Sequence, residues 1–161
     1  ECAMASQQEE LPIHFLLCGD GAKLTEHRTM AKENHLQNIT FIPFQNRQGV
    51  KEILNVTDAT FVCHKPVSIL ETGSPNKYFD GLASGKLIII NFGGWIKKEI
   101  EVMRCGIYVD NTNPGDFVKK VIPFVSSPER LKECQQASRL LADSKYSRAI
   151  LNKKFAEIFN F

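Results

Sequence analysis

The sequence predicts an α/β fold in which a parallel sheet is covered by helices on both faces, and two observations support this prediction. Short apolar runs rich in β-branched and aromatic residues recur along the chain, as is typical of strands buried on both faces. Stretches with helical spacing separate these runs, so strands and helices alternate. At 161 residues with 43% hydrophobic composition, the chain is long enough for one sizeable core, so we expect one domain over residues 1–161.

Each predicted element follows from its local pattern. The predicted strands are Ile13–Cys18, Ile39–Phe44, Ala59–His64, Leu87–Asn91 and Gly106–Val109. The predicted helices between and after them are Ala22–His35, Gln48–Asn55, Pro75–Ser84, Ile96–Arg104 and Pro114–Val125. Two further helices, Pro128–Ala142 and Ser147–Phe159, end the chain with no strand between them.

The two ends of the sequence lack the structural elements that they would be expected to pack against. Residues Glu1–Glu10 resemble the tail of a helix with no strand before it, so we expect a fragment that begins within a domain and lacks its first strand. The last helix carries an apolar stripe that needs a surface to cover it, formed by Ile150, Leu151, Phe155, Ile158 and Phe159.

Composition argues against several classes of function. The 20 basic and 18 acidic residues are mixed along the chain and give a net charge of +2, so nucleic acid is not an expected partner. The five cysteines have no metal-ligand spacing and indicate reduced thiols of a cytoplasmic protein. No apolar run approaches the ~20 residues of a membrane span, and we expect no metal site.

The segment 71–86 carries the clearest pattern of a ligand site. Ser74 is a good N-cap and Pro75 suits the first helical position, which leaves the amides of Asn76 and Lys77 free beside the Lys77 side chain. Gly73 lets a ligand approach the backbone closely. This arrangement predicts a phosphate or diphosphate site, and the alternative is a capped helix with no ligand.

Four other residues are candidates for ligand contact. Asp80 follows in the same helix, where a carboxylate can accept hydrogen bonds from both ribose hydroxyls, although it would equally suit a solvent-exposed helix face. Gly93 and Gly94 form either the border of a pocket or a tight strand-to-helix turn. His64 ends a predicted strand, where it either touches a ligand or packs.

The run Gly-Ser-Pro-Asn-Lys-x-x-Asp-x-x-Ala-x-Gly-Lys at 73–86 resembles the motif of bacterial GT-B glycosyltransferases of the group 1 class, which are retaining enzymes of family 4 type. The Leu-Leu-Cys-Gly-Asp-Gly run at 16–21 is similar to that family's first Gly-x-Gly turn. The resemblance covers residues 13–161 and implies the C-terminal, donor-binding half of a GT-B fold, which is Rossmann-like.

The resemblance also implies roles for individual residues. Diphosphate contacts would come from Gly73, Ser74, Asn76 and Lys77, and ribose contacts from Asp80. The base would lie against the loop formed by Pro43, Phe44 and Gln45. The catalytic carboxylates would be Asp80 and Glu71, with weaker contacts to the donor sugar from Thr72, Gly93 and Gly94.

Two departures from the family pattern affect the sugar end of this site. The family usually has two glutamates separated by seven residues, and counting back from Asp80 reaches Thr72, with Glu71 one place away. Pro75 removes an amide that family members with glycine can offer to the ligand. The residue that holds the donor sugar is therefore left open between Glu71 and Thr72.

For the intact enzyme, the resemblance implies transfer of a hexosyl or N-acetylhexosaminyl group from a nucleotide-diphosphate sugar, with UDP the favoured nucleotide. The acceptor would be a glycan or a lipid-linked molecule in surface polysaccharide synthesis. A missing N-terminal domain would complete the cleft, so the isolated domain should be inactive. The resemblance implies no cofactor, a cytoplasmic enzyme, and possible peripheral membrane association.

Alternative functions belong to other classes. A nucleotide-sugar epimerase has the same fold and also binds a diphosphate donor at a helix end, but the run at 74–77 favours the transferase. A non-catalytic nucleotide-binding module would have a complete sheet and a covered last helix. A dinucleotide-dependent oxidoreductase is disfavoured because the Gly-x-Gly at 19–21 lacks the third glycine and the following acidic residue.

Overall fold

A computed structural model describes residues 1–65 and 67–159, and its elements alternate as predicted. The strands are β1 (Phe15–Cys18), β2 (Ile39–Ile42), β3 (Ala59–Val62), β4 (Leu87–Ile90) and β5 (Gly106–Tyr108). The helices are α1 (Cys2–Gln8), α2 (Leu24–Glu33), α3 (Arg47–Val56), α4 (Asn76–Ala83), α5 (Gly94–Met103), α6 (Pro114–Val125), α7 (Pro128–Leu141) and α8 (Arg148–Phe159). A 3-10 turn covers Ser68–Thr72 and a π-helical turn covers Ala142–Tyr146.

The strands form two parallel groups. β1 pairs with β2, and the second group has the order β3-β4-β5. The parallel pairing confirms the predicted fold class. Within residues 1–65 and 67–159 no backbone ladder joins β1 to β3, so the two groups lie side by side without forming one continuous sheet.

Strand β4 lies at the centre of the core, and all its side chains are buried. Ile88 and Ile90 face a cluster that includes Tyr78 of α4 and Ile96 of α5. The other two β4 residues, Leu87 and Ile89, face a second cluster with Phe117 of α6. Helices therefore cover both faces, and each fully buried side chain contributes about 1.5–3 kcal/mol relative to an exposed one.

A glycine allows α4 to pack directly on the strands. A methyl group added at Gly81 would lie 2.8 Å from Ile88 Cδ1 and 3.0 Å from Thr60 Cβ. Because α4 follows β3 and precedes β4 in a parallel group, its amino end lies at the carboxyl edge of the strands. Ligands of open α/β sheets bind at this edge.

Several predicted boundaries are wrong by one or two residues. Ser74 is not the N-cap of α4 and Pro75 is not its first residue: Pro75 is itself the N-cap, with an extended ψ of 131°, and no side chain caps the helix. Proline fixes φ but leaves ψ free, so the helix begins at Asn76. Strand β3 ends at Val62 instead of His64, and the 3-10 turn at 68–72 has no counterpart in the prediction.

The end of the chain agrees with the predicted exposed stripe. Leu151, Phe155, Ile158 and Phe159 are all exposed on α8, and the rings of Phe155 and Phe159 lie 4.9 Å apart. Ile150 is only partly exposed. Within residues 1–65 and 67–159, no helix is both long enough and apolar enough to span a membrane.

Candidate functional site

The amino end of α4 offers two backbone amides outside the helix's own hydrogen bonding. Tyr78 N donates to Pro75 O at 3.0 Å, which leaves the amides of Asn76 and Lys77 without a partner among residues 1–65 and 67–159. The partial positive charge of a helix amino end adds to these donors. The free amides are therefore those that the sequence predicted, although the helix begins one residue later.

Asn76, Lys77 and Asp80 share the solvent-exposed face of α4. Residues three and four apart lie on one side of a helix, and all three side chains are exposed, while Tyr78 and Leu82 point into the core. Asp80 carboxylate accepts no hydrogen bond from the described residues. The structure thus groups one cation, two free amides and one carboxylate on a single accessible surface.

The loop before α4 is held in place by α5. The indole Nε1 of Trp95 donates a hydrogen bond to Gly73 O at 3.1 Å. The Trp95 ring also lies edge-on to the ring of Tyr78, with centroids 5.8 Å apart, and stacks on the ring of Phe79, with centroids 6.4 Å apart. Both residues belong to α4, so the position of Trp95 depends on how α4 packs. Trp95 therefore links Gly73, in the loop before α4, to the aromatic side chains of α4.

Glu71 lies against Gly93 and Gly94 at the start of α5. A methyl group at Gly93 would be 3.1 Å from Glu71 Oε2, and one at Gly94 would be 2.2 Å from the Glu71 carbonyl oxygen. The Thr72 hydroxyl instead donates to Ile69 O at 2.8 Å within the 3-10 turn. Of the two candidates for the first carboxylate position, Glu71 is the one beside the glycines.

Two hydrogen bonds between His64 and Asn91 join the segments that follow β3 and β4. His64 N donates to Asn91 Oδ1 at 2.8 Å, and Asn91 Nδ2 donates to His64 O at 3.0 Å. The imidazole stacks on Phe92 with ring centroids 4.2 Å apart. His64 therefore packs on Phe92, while its buried Nδ1 has no hydrogen-bond partner within residues 1–65 and 67–159, so both alternatives for His64 stay open.

The predicted base-binding loop follows β2, in the other strand group. Phe44 is 69% exposed, and the Gln45 side chain donates to Pro43 O at 3.2 Å, so the loop is held locally. Asn46, which comes next, caps α3 by accepting from Gly49 N at 3.0 Å. No hydrogen bond joins Pro43, Phe44 or Gln45 to α4 within the described part of the chain.

A buried carboxylate behind the site has no counterpart in the sequence predictions. Glu99 accepts hydrogen bonds from the hydroxyls of Tyr78 and Tyr146, each at 2.6 Å, and is paired with Lys145. Its side chain is 9% exposed. Burial acts to raise the pKa of Glu99, but the hydrogen bonds from Lys145 and the two tyrosines outweigh it and lower the pKa. Burial, and then the hydrogen bond to Glu99, raise the pKa of Tyr78.

Trp95 and Glu99 were missed for a common reason. Their roles depend on partners 22 and 47 positions away, Gly73 and Tyr146. No local spacing reports such contacts. The local sequence offers only an acidic residue in the predicted helix Ile96–Arg104, four places after the tryptophan that precedes this helix, and such a spacing alone indicates nothing.

Known proteins resemble this chain in sequence pattern and in fold. The family model described as Glycosyl transferases group 1 matches residues 2–141. The chain has no significant match among curated protein sequences. Many solved structures share its fold.

TarM of S. aureus, in a complex that includes UDP, has a TM-score of 0.79 at 15% identity, with 99% of this chain and 31% of that chain covered. HepE of Anabaena in complex with UDP has a TM-score of 0.78 at 12% identity, covering 98% of this chain and 44% of that one. The C-terminal domain of LpcC from Francisella tularensis has a TM-score of 0.61 at 13% identity. The match covers 92% of this chain and 94% of that one.

At these identities the structural matches show the fold alone, which is the Rossmann-like half of a GT-B fold. The chain spans less than half the length of TarM and HepE. The family model, in contrast, covers most of the sequence, from the first helix to the end of α7. This chain therefore belongs to the Glycosyl transferases group 1 family.

Proposed function

We propose that this chain is the domain of a glycosyltransferase that binds the nucleotide-diphosphate sugar donor, and that the diphosphate lies at the amino end of α4. The observation that carries the proposal is the exposed surface shared by the amides of Asn76 and Lys77, the Lys77 ammonium group and the Asp80 carboxylate. Gly73 and Ser74 complete this surface. Charge-assisted hydrogen bonds of this kind contribute about 1.5–3 kcal/mol each.

Asp80 would bind the ribose, since its carboxylate lies one helical turn beyond the diphosphate amides and can accept from two hydroxyls. The base would rest on the loop of Pro43, Phe44 and Gln45, where the exposed Phe44 ring offers a stacking surface. UDP is the favoured nucleotide, because HepE has been crystallised with UDP and with UDP-glucose.

The site is suited to the charge changes of glycosyl transfer. In that reaction the bond between the anomeric carbon and the diphosphate oxygen breaks, a bond to the acceptor oxygen forms, and the proton of the acceptor hydroxyl passes to the leaving diphosphate. The leaving diphosphate gains negative charge, which the helix amides and Lys77 would stabilise in the transition state. Glu71, which lies beside Gly93 and Gly94, would contact the donor sugar, with Thr72 as the weaker candidate. We expect retention of anomeric configuration.

The intact enzyme would place a second domain opposite this surface. The exposed aromatic stripe on α8 is a suitable contact for that domain. We expect the acceptor to be a glycan or lipid-linked molecule of bacterial surface polysaccharide synthesis, used at the cytoplasmic side of the membrane. The donor sugar would be a hexose or an N-acetylhexosamine.

Thermal unfolding with UDP, GDP, ADP and NAD tests this proposal. Ligand present at about 100 times its dissociation constant adds about 2.7 kcal/mol of stability, because it binds only the folded state. We expect one nucleoside diphosphate, UDP, to raise the melting temperature by several degrees. Asp80→Ala should weaken that binding about 10- to 100-fold by removing the ribose acceptor.

Glu133→Ala is the matched control, because Glu133 is an exposed carboxylate on α7, far along the chain from the site. It should bind UDP as the parent does. The proposal fails if the full-length natural protein is stabilised by none of these nucleotides. Stabilisation by NAD alone would instead favour a dinucleotide-binding protein.

A further inference from the structure

The segment between the 3-10 turn and α4 contacts the start of α5 at two points. Trp95, in the first turn of α5, donates its indole N–H to Gly73 O at 3.1 Å. Two residues before Gly73, Glu71 lies so close to Gly94 that a methyl group added there would be 2.2 Å from the Glu71 carbonyl oxygen. The start of α5 therefore supports the backbone that leads into the proposed diphosphate site.

The peptide group that joins Gly73 to Ser74 is bonded at one end only. Its carbonyl oxygen accepts the bond from Trp95, whereas Ser74 N has no hydrogen-bond partner within residues 1–65 and 67–159. The described part of the chain has no cis peptide bond, and in a trans peptide the C=O and the N–H point in opposite directions. The Ser74 N–H therefore points away from the indole, and Ser74 itself is exposed.

Gly73 alone restricts the orientation of this peptide group only weakly, because a residue without a Cβ tolerates many backbone conformations. A hydrogen bond weakens steeply as its donor turns out of line, so a freely turning Ser74 N–H would be a poor donor to a ligand. The indole N–H of Trp95 donates and cannot accept. It therefore binds the carbonyl end of the peptide group and favours the orientation that leaves the Ser74 N–H free.

The indole ring is itself held by aromatic side chains of α4. It lies edge-on to Tyr78 and stacks on Phe79, with centroids 5.8 Å and 6.4 Å away. Tyr78 is fully buried, and its hydroxyl donates to Glu99 at 2.6 Å. Because these contacts restrict the ring, the indole N–H of Trp95 has a defined position relative to the amino end of α4.

We propose that Trp95 is a positioning residue for the donor diphosphate. By holding Gly73 O, it keeps the Ser74 N–H available to the diphosphate. This amide is then a third backbone donor beside those of Asn76 and Lys77. The bond that Gly73 O accepts also polarises the peptide group and strengthens its N–H as a donor. The proposal rests on the proposed function, since it requires a diphosphate at the amino end of α4.

Binding of UDP and of uridine to the full-length natural protein tests this role, because the two ligands share the nucleoside and differ in the diphosphate. Trp95→Phe keeps an aromatic ring and removes the N–H donor. We expect it to raise the Kd of UDP about 3- to 10-fold, as the loss of one neutral hydrogen bond does, and to leave the Kd of uridine unchanged. Calorimetry with UDP and NMR titration with uridine measure the two constants.

A second replacement separates the hydrogen bond from the size of the ring. 3-Benzothienylalanine in place of Trp95 keeps the bicyclic shape and has sulfur where the indole has its N–H. It should raise the Kd of UDP as much as Trp95→Phe does, while it preserves more of the contact with Tyr78 and Phe79.

Tyr146→Phe is the matched control for stability. It removes one hydrogen bond to Glu99 and leaves the bond between Trp95 and Gly73 in place. We expect it to lower the melting temperature and to leave the ratio of the uridine Kd to the UDP Kd as in the parent. A role of Trp95 in packing alone would likewise leave that ratio unchanged.

Two results would overturn the proposal. One is that the 3-benzothienylalanine variant binds UDP as tightly as the parent, and the other is that both replacements of Trp95 weaken UDP and uridine equally. In either case the parent still binds UDP, and the proposed function stands. If the parent binds no UDP, the proposed function fails and the role of Trp95 fails with it.

Discussion

Replacing Glu99 with alanine is expected to lower the free energy of unfolding by about 3 kcal/mol, because it leaves the hydroxyls of Tyr78 and Tyr146 buried without an acceptor and Lys145 without its partner. For a domain of this size that corresponds to a fall in melting temperature of about 6–12 °C. Glu101→Ala, on the same helix but exposed, should change the melting temperature little.

The pH dependence of the effect provides a second measurement. Because the folded-state pKa of Glu99 is lowered, its ionised form stabilises the fold above the unfolded pKa, and this stabilisation is lost as the pH falls through the folded pKa. The stability difference between the parent and Glu99→Gln should therefore be full at pH 7 and shrink below about pH 4. An equal difference at both pH values would contradict the role given to the charge.

Replacing Gly94 with alanine is expected to destabilise the fold by about 3 kcal/mol. Gly94 has a φ of +84°, which disfavours residues with a Cβ, and the added methyl group would lie 2.2 Å from the Glu71 carbonyl oxygen. Relief of that contact must displace the 3-10 turn or the start of α5. The measurement is urea unfolding of the variant and the parent.

Gly21→Ala is the control for this prediction, because a methyl group there has open space around it and the φ of Gly21 is not positive. It should alter the midpoint of unfolding little. If Gly94→Ala unfolds at the same urea concentration as the parent, Glu71 is not held against Gly94 and its proposed position near the donor sugar loses its support.

Much of the fold could be predicted from the sequence because hydrophobic periodicity is a local property. The run 87–90 is apolar throughout, which predicted a fully buried strand, and β4 is one. The place of the interruption, between β1 and β3, could not be predicted, since strand neighbours are set by contacts between distant segments. The one-residue error at Pro75 arose because proline fixes φ, while ψ depends on the loop that precedes α4.

In the candidate site, too, the sequence predicts what one element determines and misses what depends on packing between elements. The amides of Asn76 and Lys77 were predictable because they follow from where a helix starts. The position of Glu71 beside Gly93 and Gly94, and the hydrogen bond from Trp95 to Gly73, depend on how α5 packs against the 3-10 turn. No pattern within one element contains that information.

Amide chemical-shift mapping of UDP binding by NMR tests the central claim most directly. On the natural polypeptide, we predict the largest shifts at Gly73, Asn76 and Lys77, smaller ones at Phe44 and Gln45, and reduced changes in Asp80→Ala at the same UDP concentration below saturation. Shifts confined to other parts of the chain, or no shifts at millimolar UDP while the fold is intact, would contradict the assignment of α4 as the diphosphate site.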